Sequence, residues 1–263
     1  MEDQKQPFNP LLALLAGLAA LFFVFPLIGL FTGAPWGRMT EVITSKSSLD
    51  ALGLSIVASL SSTAIALAFG FPLAWLLARG RFRGKGLVRG LTTLPRVLPP
   101  VVGGIALLLA YGRRGIIGEP LDKATGISLP FTLAGVIVAE SFVAMPFFVI
   151  TVESGLRSMN RRLEDAARSL GAGRWMVFRR VTLPLIWPSL VAGTVLTWAR
   201  ALGEFGATIT FAGNLQGVTQ TMPLAIYISQ SSGKTDEAIA LSLILVLVSL
   251  VVMIFRHDRP GAG

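Results

Sequence analysis

Apolar stretches of about 20 residues recur along this chain and alternate with short segments that carry most of the charge. Each stretch is long enough to cross a bilayer as an α-helix, because a helix rises about 1.5 Å per residue and the hydrocarbon core is about 30 Å thick. The pattern predicts six spans, at 11–31, 51–78, 91–111, 131–155, 184–203 and 237–255. We therefore expect an all-α polytopic membrane protein in which residues 1–263 form one transmembrane domain.

The composition agrees with folding in lipid. Apolar residues make up 53% of the 263 residues and charged residues only 14%, against about 25% charged in a soluble domain. The mean hydropathy of +0.70 points the same way, so a soluble enzyme is excluded. Cysteine is absent and the one histidine, His257, lies in the C-terminal tail, so the chain alone provides no disulfide, haem site or His/Cys zinc site.

Lysine and arginine are concentrated in alternate connecting segments, and this distribution predicts the orientation of the chain. The segments after the second and fourth spans, about 79–90 and 156–183, together hold 12 basic residues. With the two tails, 15 basic residues lie on one side and six on the other, which places both termini in the cytoplasm. The net charge of +9 therefore reflects the orientation of the chain in the membrane and does not indicate a nucleic-acid site. For the first segment, a role in insertion alone and contact with anionic headgroups are equally good interpretations.

The second basic segment, residues 156–183, has a pattern that topology alone does not require. Asn160 is placed to cap a helix, and Gly171 stands where a helix would end in the left-handed conformation. Between them an apolar stripe appears at helical spacing, formed by Leu163, Ala166, Ala167 and Leu170. Pro184 suits the first turn of the fifth span. The segment predicts a short helix along the cytoplasmic face whose small central residues let another protein approach closely.

One run in this segment has the spacing of a known signature. Asp165, Ala166, Ala167, three residues, Gly171, nine residues and then Val181-x-Leu183-Pro184 resembles the EAA motif of the permease subunits of type I ABC importers. Asp165 stands where that family usually has Glu, and Val181 where it often has Ile. The resemblance implies a coupling helix that inserts into a groove of a cytoplasmic ATPase, and it assigns this role to Asp165, Ala166, Ala167, Arg168, Leu170 and Gly171. An interfacial amphipathic helix with accidental spacing is the alternative.

The same resemblance implies the partners and the division of labour. It implies a homodimer of permeases, two copies of the ATPase that bind ATP and magnesium, and an extracytoplasmic protein that delivers the substrate. The permease itself then has no catalytic residue, cofactor or metal. The sequence agrees in one respect: Gly233-Lys234-Thr235 matches the end of a phosphate-binding loop, but Ile228 occupies the position of its first glycine.

Four further sequence segments narrow the resemblance to particular permeases of this family. They are LPRVLPPVVGG at 94–104, YGRRGIIG at 111–118, RALGEFGATITFAGN at 200–214 and TQTMPLAIY at 219–227. Together they resemble the molybdate and tungstate permeases, with the sulfate and thiosulfate permeases as close relatives. The implied function is a pathway for a tetrahedral oxyanion, with molybdate or tungstate ahead of sulfate, that alternates between inward-facing and outward-facing states.

An oxyanion pathway needs hydrogen-bond donors or positive charge along its length. The run Pro95, Pro99, Pro100, Gly103 and Gly104 predicts an interruption of the third span, although a simple packing kink explains it as well. Hydroxyl groups are available nearby, and we take Thr92, Thr93 and Thr197 as candidates for the pathway. Hydrogen bonds from these hydroxyls to their own helices are the structural alternative.

Charged residues within spans are costly and are therefore candidates for function. Arg200 is expected near the outer mouth, with Glu204 one turn further on. Two interpretations stay open: Arg200 attracts the anion while Glu204 tempers its charge, or the two form an ion pair that stabilises the end of the fifth helix. Arg96 is expected to extend to the cytoplasmic interface. Glu140 falls near mid-membrane, where it would pair with an arginine, stay protonated or face a neighbouring helix.

Two other classes of protein compete with this interpretation. An integral membrane enzyme predicts His, Asp or Glu clustered at one membrane face, whereas the acidic residues here are scattered. A channel or an ion-driven secondary transporter would not need the coupling segment. Blocking ATP hydrolysis by a co-purified partner separates a channel or a secondary transporter from an ABC importer, because only the importer would stop transporting its substrate.

Overall fold

The computed structural model describes the backbone of residues 10–257 and the side chains of residues 10–250. All regular elements in this range are helical. They are α1 (Pro10–Thr32), α2 (Met39–Thr44), α3 (Lys46–Arg79), α4 (Lys85–Arg96), α5 (Pro100–Tyr111), α6 (Gly118–Thr125), α7 (Leu133–Ser158), α8 (Arg162–Ser169), α9 (Arg174–Leu202), α10 (Gly206–Phe211), α11 (Met222–Ser231) and α12 (Thr235–His257). The all-α expectation is confirmed for the described residues.

Four of the predicted spans appear as helices that are long and apolar enough to cross a membrane: α1, α3, α7 and α9. The third predicted span is interrupted, since α4 and α5 meet at an angle of 119°. Helix α12 coincides with the sixth predicted span, but its last side chains lie outside the described residues. Length and composition thus identify four spans, or five if the bent pair is one, and the count of six stays a prediction.

The bend between α4 and α5 follows from two adjacent prolines. Pro99 and Pro100 have no N–H to donate, and a residue that precedes a proline is pushed away from the α conformation. Pro99 is accordingly extended, with φ −54° and ψ 132°, and Pro100 begins α5. The third span is thus not one continuous helix over 91–111, and the interruption expected from these prolines is confirmed.

The fifth span begins earlier than the sequence predicts. Helix α9 runs from Arg174, and Pro184 lies in the first turn of its regular α-helical stretch, Leu183–Leu202, as expected. A π-helical turn at Phe178–Thr182 precedes this proline, and a similar turn at Ala66–Gly70 precedes Pro72 in α3. A π-turn already departs from the regular i to i−4 hydrogen bonds, so a proline directly after it interrupts the helix less than elsewhere.

Helix α7 is the centre of the bundle. Phe148, Val149, Val152 and Leu156 on α7 are fully buried against α3 and against Ile186 on α9. Gly70 and Gly193 face Phe148, so small residues let these helices approach closely around one large ring. A second cluster packs α5 and α10 against α7. By contrast, no residue of α1 is buried within the described part of the chain.

Candidate coupling surface and ion pathway

Helix α8 has two opposite faces. Successive residues of a helix are about 100° apart, so Arg161, Glu164, Asp165 and Arg168 share one side, and the apolar stripe at 163, 166, 167 and 170 lies on the other. Glu164 is only 4% exposed, whereas Leu163 is 48% and Leu170 89% exposed. Glu164 therefore faces the protein, whereas Asp165 and Arg168 beside it stay exposed. The apolar stripe is not buried against the protein, unlike the apolar face of an ordinary surface helix.

Glu164 holds α8 against the ends of two long helices. The guanidinium of Arg79, at the end of α3, donates two hydrogen bonds to its carboxylate, at 2.8 and 3.0 Å. The hydroxyl of Thr182 in α9 donates a third at 2.5 Å. Burial by itself raises the pKa of Glu164, but the hydrogen bonds from Thr182 and Arg79 and the charges of Arg79 and Arg168 outweigh it, so its pKa lies below the usual value of 4.5.

The ends of α8 form as the sequence predicts. The Asn160 side chain accepts a hydrogen bond from the N–H of Arg162 at 3.1 Å, which satisfies one of the free donors of the first turn. Gly171 has a φ of +84°, and the N–H of Ala172 reaches the carbonyl of Ala167 at 3.1 Å. These contacts confirm the left-handed helix end expected at Gly171. Asp165 forms an exposed ion pair with Arg168 at 3.1 Å.

A second charged network lies at the end of α7. Glu153 is bound by Arg89 of α4 at 2.5 Å and by Arg157 at 2.8 Å. Both guanidinium groups also reach the carbonyl of Leu77 in α3. Arg89 and Arg157 lie in the segments predicted to set the topology, and here they also join α3, α4 and α7 through one buried carboxylate. The sequence did not indicate Glu153 or Glu164, because Arg89 and Arg79 are distant in the sequence, although Arg157 lies one turn from Glu153.

Arg200 and Glu204 form the pair that their spacing predicts. The Arg200 guanidinium lies 2.5 Å from the Glu204 carboxylate, whose side chain is 1% exposed. The same carboxylate accepts a hydrogen bond from the N–H of Ala207 at 2.8 Å, at the start of α10. Glu204 thus joins the end of α9 to α10, which gives the pair a structural function in the fold. Arg200 retains an exposed fraction of 27% in its side chain.

The candidate threonines do not gather into one site. Thr92 and Thr93 donate to the carbonyls of Val88 and Gly90 in their own helix, the structural alternative foreseen for them. Thr92 also lines a mainly apolar cavity of about 430 Å³ between α4, α5 and α7, which contains neither Arg200 nor Thr197. Thr197 is fully buried in α9, and its hydroxyl has no hydrogen-bond partner within residues 10–250.

The two other charged residues predicted within spans are Arg96 and Glu140. Arg96 lies over the ring of Phe147, 5.1 Å from its centre, so it packs on α7 rather than extending freely. Glu140 is 1% exposed on α7, and it has no ion pair with any residue whose side chain is described. Pairing of Glu140 with an arginine of this part of the chain is therefore wrong.

Comparison with known proteins gives a consistent result. Residues 70–257 match the family described as binding-protein-dependent transport system inner membrane component. The chain is 46% identical over 250 residues to a molybdenum transport system permease protein of Mycobacterium tuberculosis, covering 95% of this chain and 94% of that protein. It is 42% identical over 228 residues to the corresponding Escherichia coli K12 protein, covering 84% and 100%.

The fold is also similar to that of a solved transporter. A crystal structure of a bacterial alginate ABC transporter, in complex with a periplasmic protein that carries an alginate pentasaccharide, matches with a TM-score of 0.71. The match covers 94% of this chain and 92% of that one at 21% identity, so it supports the fold alone.

Proposed function

The chain belongs to the family of binding-protein-dependent transport system inner membrane components, the permeases of ABC importers, and we propose that it forms a molybdate pathway across the membrane. Two relatives of high identity carry molybdenum transport in their names, and they align over most of this chain. Tungstate is a further substrate of this proposal because it is also a tetrahedral dianion. Sulfate is the competing substrate.

The exposed apolar stripe of α8 is the observation that carries the coupling role. Leu163 and Leu170 present large apolar surfaces to solvent on a helix that Glu164 holds firmly from its other side. Apolar surface on a fixed element favours a protein partner. In our proposal this partner is the ATPase, present in two copies, which binds ATP and magnesium while Asp165, Ala166, Ala167, Arg168, Leu170 and Gly171 contact its groove.

Separate observations support the remaining partners. A second copy of the permease would complete the pathway, and helix α1, which has no buried residue, has surface to bury against protein or lipid. An extracytoplasmic binding protein would deliver the ion, as the periplasmic protein in the alginate transporter complex suggests. The positive segments at 79–90 and 156–183 support a cytoplasmic location for this face and for both termini.

Transport in proteoliposomes tests the proposed substrate. The permease would be reconstituted with its ATPase and its molybdate-binding protein, and metal uptake measured by elemental analysis. We expect ATP-driven uptake of molybdate and tungstate at least about tenfold faster than uptake of sulfate at equal concentration, since one pocket contact is worth that much discrimination. Preferential uptake of sulfate would reassign the substrate, and uptake that continues with a non-hydrolysable nucleotide would indicate a channel or a secondary transporter.

Substitutions on the stripe test the coupling role. Replacing Ala166 or Ala167 with Glu should prevent the ATPase from co-purifying while the permease still inserts, because an unpaired charge at a close interface is strongly unfavourable. Ser169→Glu adds the same charge on a different side of α8 and is the matched control. Gly171→Val should also fail because its φ is +84°, whereas Gly171→Asn should be milder. ATPase binding that survives in every variant would show that another element couples.

A further inference from the structure

A charged groove of about 720 Å³ lies between α8 and the ends of α3 and α9. Four arginines line it, Arg79, Arg161, Arg168 and Arg174, together with the carboxylates of Glu164 and Asp165 and the aromatic rings of Trp75 and Phe178. The groove is on the charged side of α8. The apolar stripe proposed to contact the ATPase does not line it, whereas Asp165 and Arg168 of that proposed contact do. Arg161 and Arg174 also line the groove and lie outside the proposed ATPase contact.

The arginines in this groove differ in how far they are neutralised. Arg79 is paired with Glu164, and Arg168 with Asp165. Arg161 and Arg174 are exposed and form no ion pair with any residue whose side chain is described. They lie at the beginnings of α8 and α9, and both line the groove. The groove therefore has two unneutralised guanidinium groups, which suit an anion that bridges the two helices.

The floor of the groove is aromatic. Trp75 and Phe178 contact each other with their ring centres 5.6 Å apart, and Phe71 lies 6.2 Å from Phe178 further along α3. Trp175 stacks on Phe178 at 5.5 Å and is 69% exposed. This apolar surface continues along α3 and α9, two helices long and apolar enough to span the membrane. Aromatic rings beside basic residues at a helix end are typical of the lipid–water interface.

We propose that this groove binds an anionic phospholipid, with the headgroup phosphate between Arg161 and Arg174 and the start of the acyl chains over Trp75 and Phe178. A free phosphate would use only the arginines, and a soluble acidic peptide would gain nothing from an aromatic floor that extends into the span. The bound lipid braces α8 against α3 and α9, next to the Glu164 contacts. The inference depends on the proposed function only for placing this face at the cytoplasmic membrane surface.

Lipid binding to the purified permease–ATPase complex tests this inference. Native mass spectrometry would follow the delipidated complex titrated with short-chain phosphatidylglycerol, with phosphatidylcholine and with inorganic phosphate. We expect phosphatidylglycerol to bind preferentially, and Arg161→Ala/Arg174→Ala to weaken that binding about 10- to 30-fold. The matched control is Arg162→Ala/Arg179→Ala, which removes two exposed arginines of the same segment that do not line the groove and should leave binding unchanged.

Several results would overturn the inference. Equal weakening of lipid binding in the control variant would mean that general surface electrostatics, and not the groove, attracts the lipid. Equal binding of phosphatidylglycerol and phosphatidylcholine would show that the groove does not recognise the headgroup charge. Displacement of phosphatidylglycerol by millimolar inorganic phosphate would assign the groove to a free anion. Binding that appears only after the ATPase is removed would assign the groove to the ATPase contact. ATP-driven molybdate uptake measured on the same preparations keeps the two proposals apart, since it can persist when lipid preference is absent.

Discussion

At the scale of single residues, the carboxylate of Glu164 connects three helices. It is nearly buried and satisfied by Arg79 and Thr182, so removing its charge leaves a guanidinium without its partner. We expect Glu164→Gln to weaken the fixation of α8 by about 1–3 kcal/mol and to lower the amount of co-purified ATPase. Arg79→Gln combined with Glu164→Gln should recover part of the loss, because neither charge then lacks a partner. Full additivity of the two single losses would argue against the contact.

The low pKa of Glu164 adds a dependence on pH to that prediction. A carboxyl whose pKa is lower in the folded protein than its usual 4.5 stabilises the fold above that value, and this contribution is lost as the pH falls through the folded pKa. We expect thermal melting of the detergent-solubilised complex to show a stability loss below about pH 4.5 that is smaller in Glu164→Gln. An identical acid profile in the variant would show that other groups cause the loss.

For Arg200 and Glu204, a contribution to the stability of the fold has to be separated from a contribution to transport. Glu204 is buried and binds both Arg200 and the start of α10, so Arg200→Ala should lower the abundance of folded permease. Replacing Glu204 by Gln in the same variant should restore abundance, since no buried charge is then left alone. Uptake per folded complex then decides whether Arg200 also acts in transport. A reduced value in the abundant double variant would place Arg200 on the anion pathway, and an unchanged value would remove it from that pathway.

At the scale of elements, the bent pair of α4 and α5 depends on close packing against α10. A Cβ added at Gly104 would lie 2.6 Å from the Cβ of Thr210 and 3.0 Å from the carbonyl of Ala207, whereas one at Gly103 would meet only the ring of Phe142 at 3.1 Å. We expect Gly104→Ala to destabilise by about 1–3 kcal/mol and Gly103→Ala to have a smaller effect. Thermal unfolding of the two variants compares them directly, and a larger effect of Gly103→Ala would contradict the packing described for α5.

At the scale of the whole molecule, the orientation in the membrane is the prediction with the widest consequences. It follows from the excess of basic residues in the segments at 79–90 and 156–183, and the absence of cysteine makes it easy to test. Single cysteines at positions 85 and 174 should be inaccessible to an impermeant thiol reagent in intact cells, whereas cysteines at 46 and 234 should be labelled. Labelling of 85 or 174 from outside would invert the topology and with it the position of α8.

Local patterns in the sequence were sufficient for much of this architecture. Apolar length identified α1, α3, α7 and α9, because a bilayer imposes a minimum helix length on any chain that crosses it. Adjacent prolines indicated the break between α4 and α5. Asn160, the apolar stripe and Gly171 predicted α8 with its beginning and its end, since caps and helical spacing depend on neighbours within one or two turns.

Contacts between distant segments were decided only by the tertiary structure. Arg79 and Glu164 are 85 positions apart, and Arg89 and Glu153 are 64 apart, so no local pattern pairs them. The size of the bend, 119°, and the start of α9 at Arg174 were likewise not given by the local pattern. The sequence by itself determined which segments form long apolar helices and which helix has an apolar stripe. The fold decided which charges hold that stripe outward, because a buried carboxylate must find its cations wherever packing brings them.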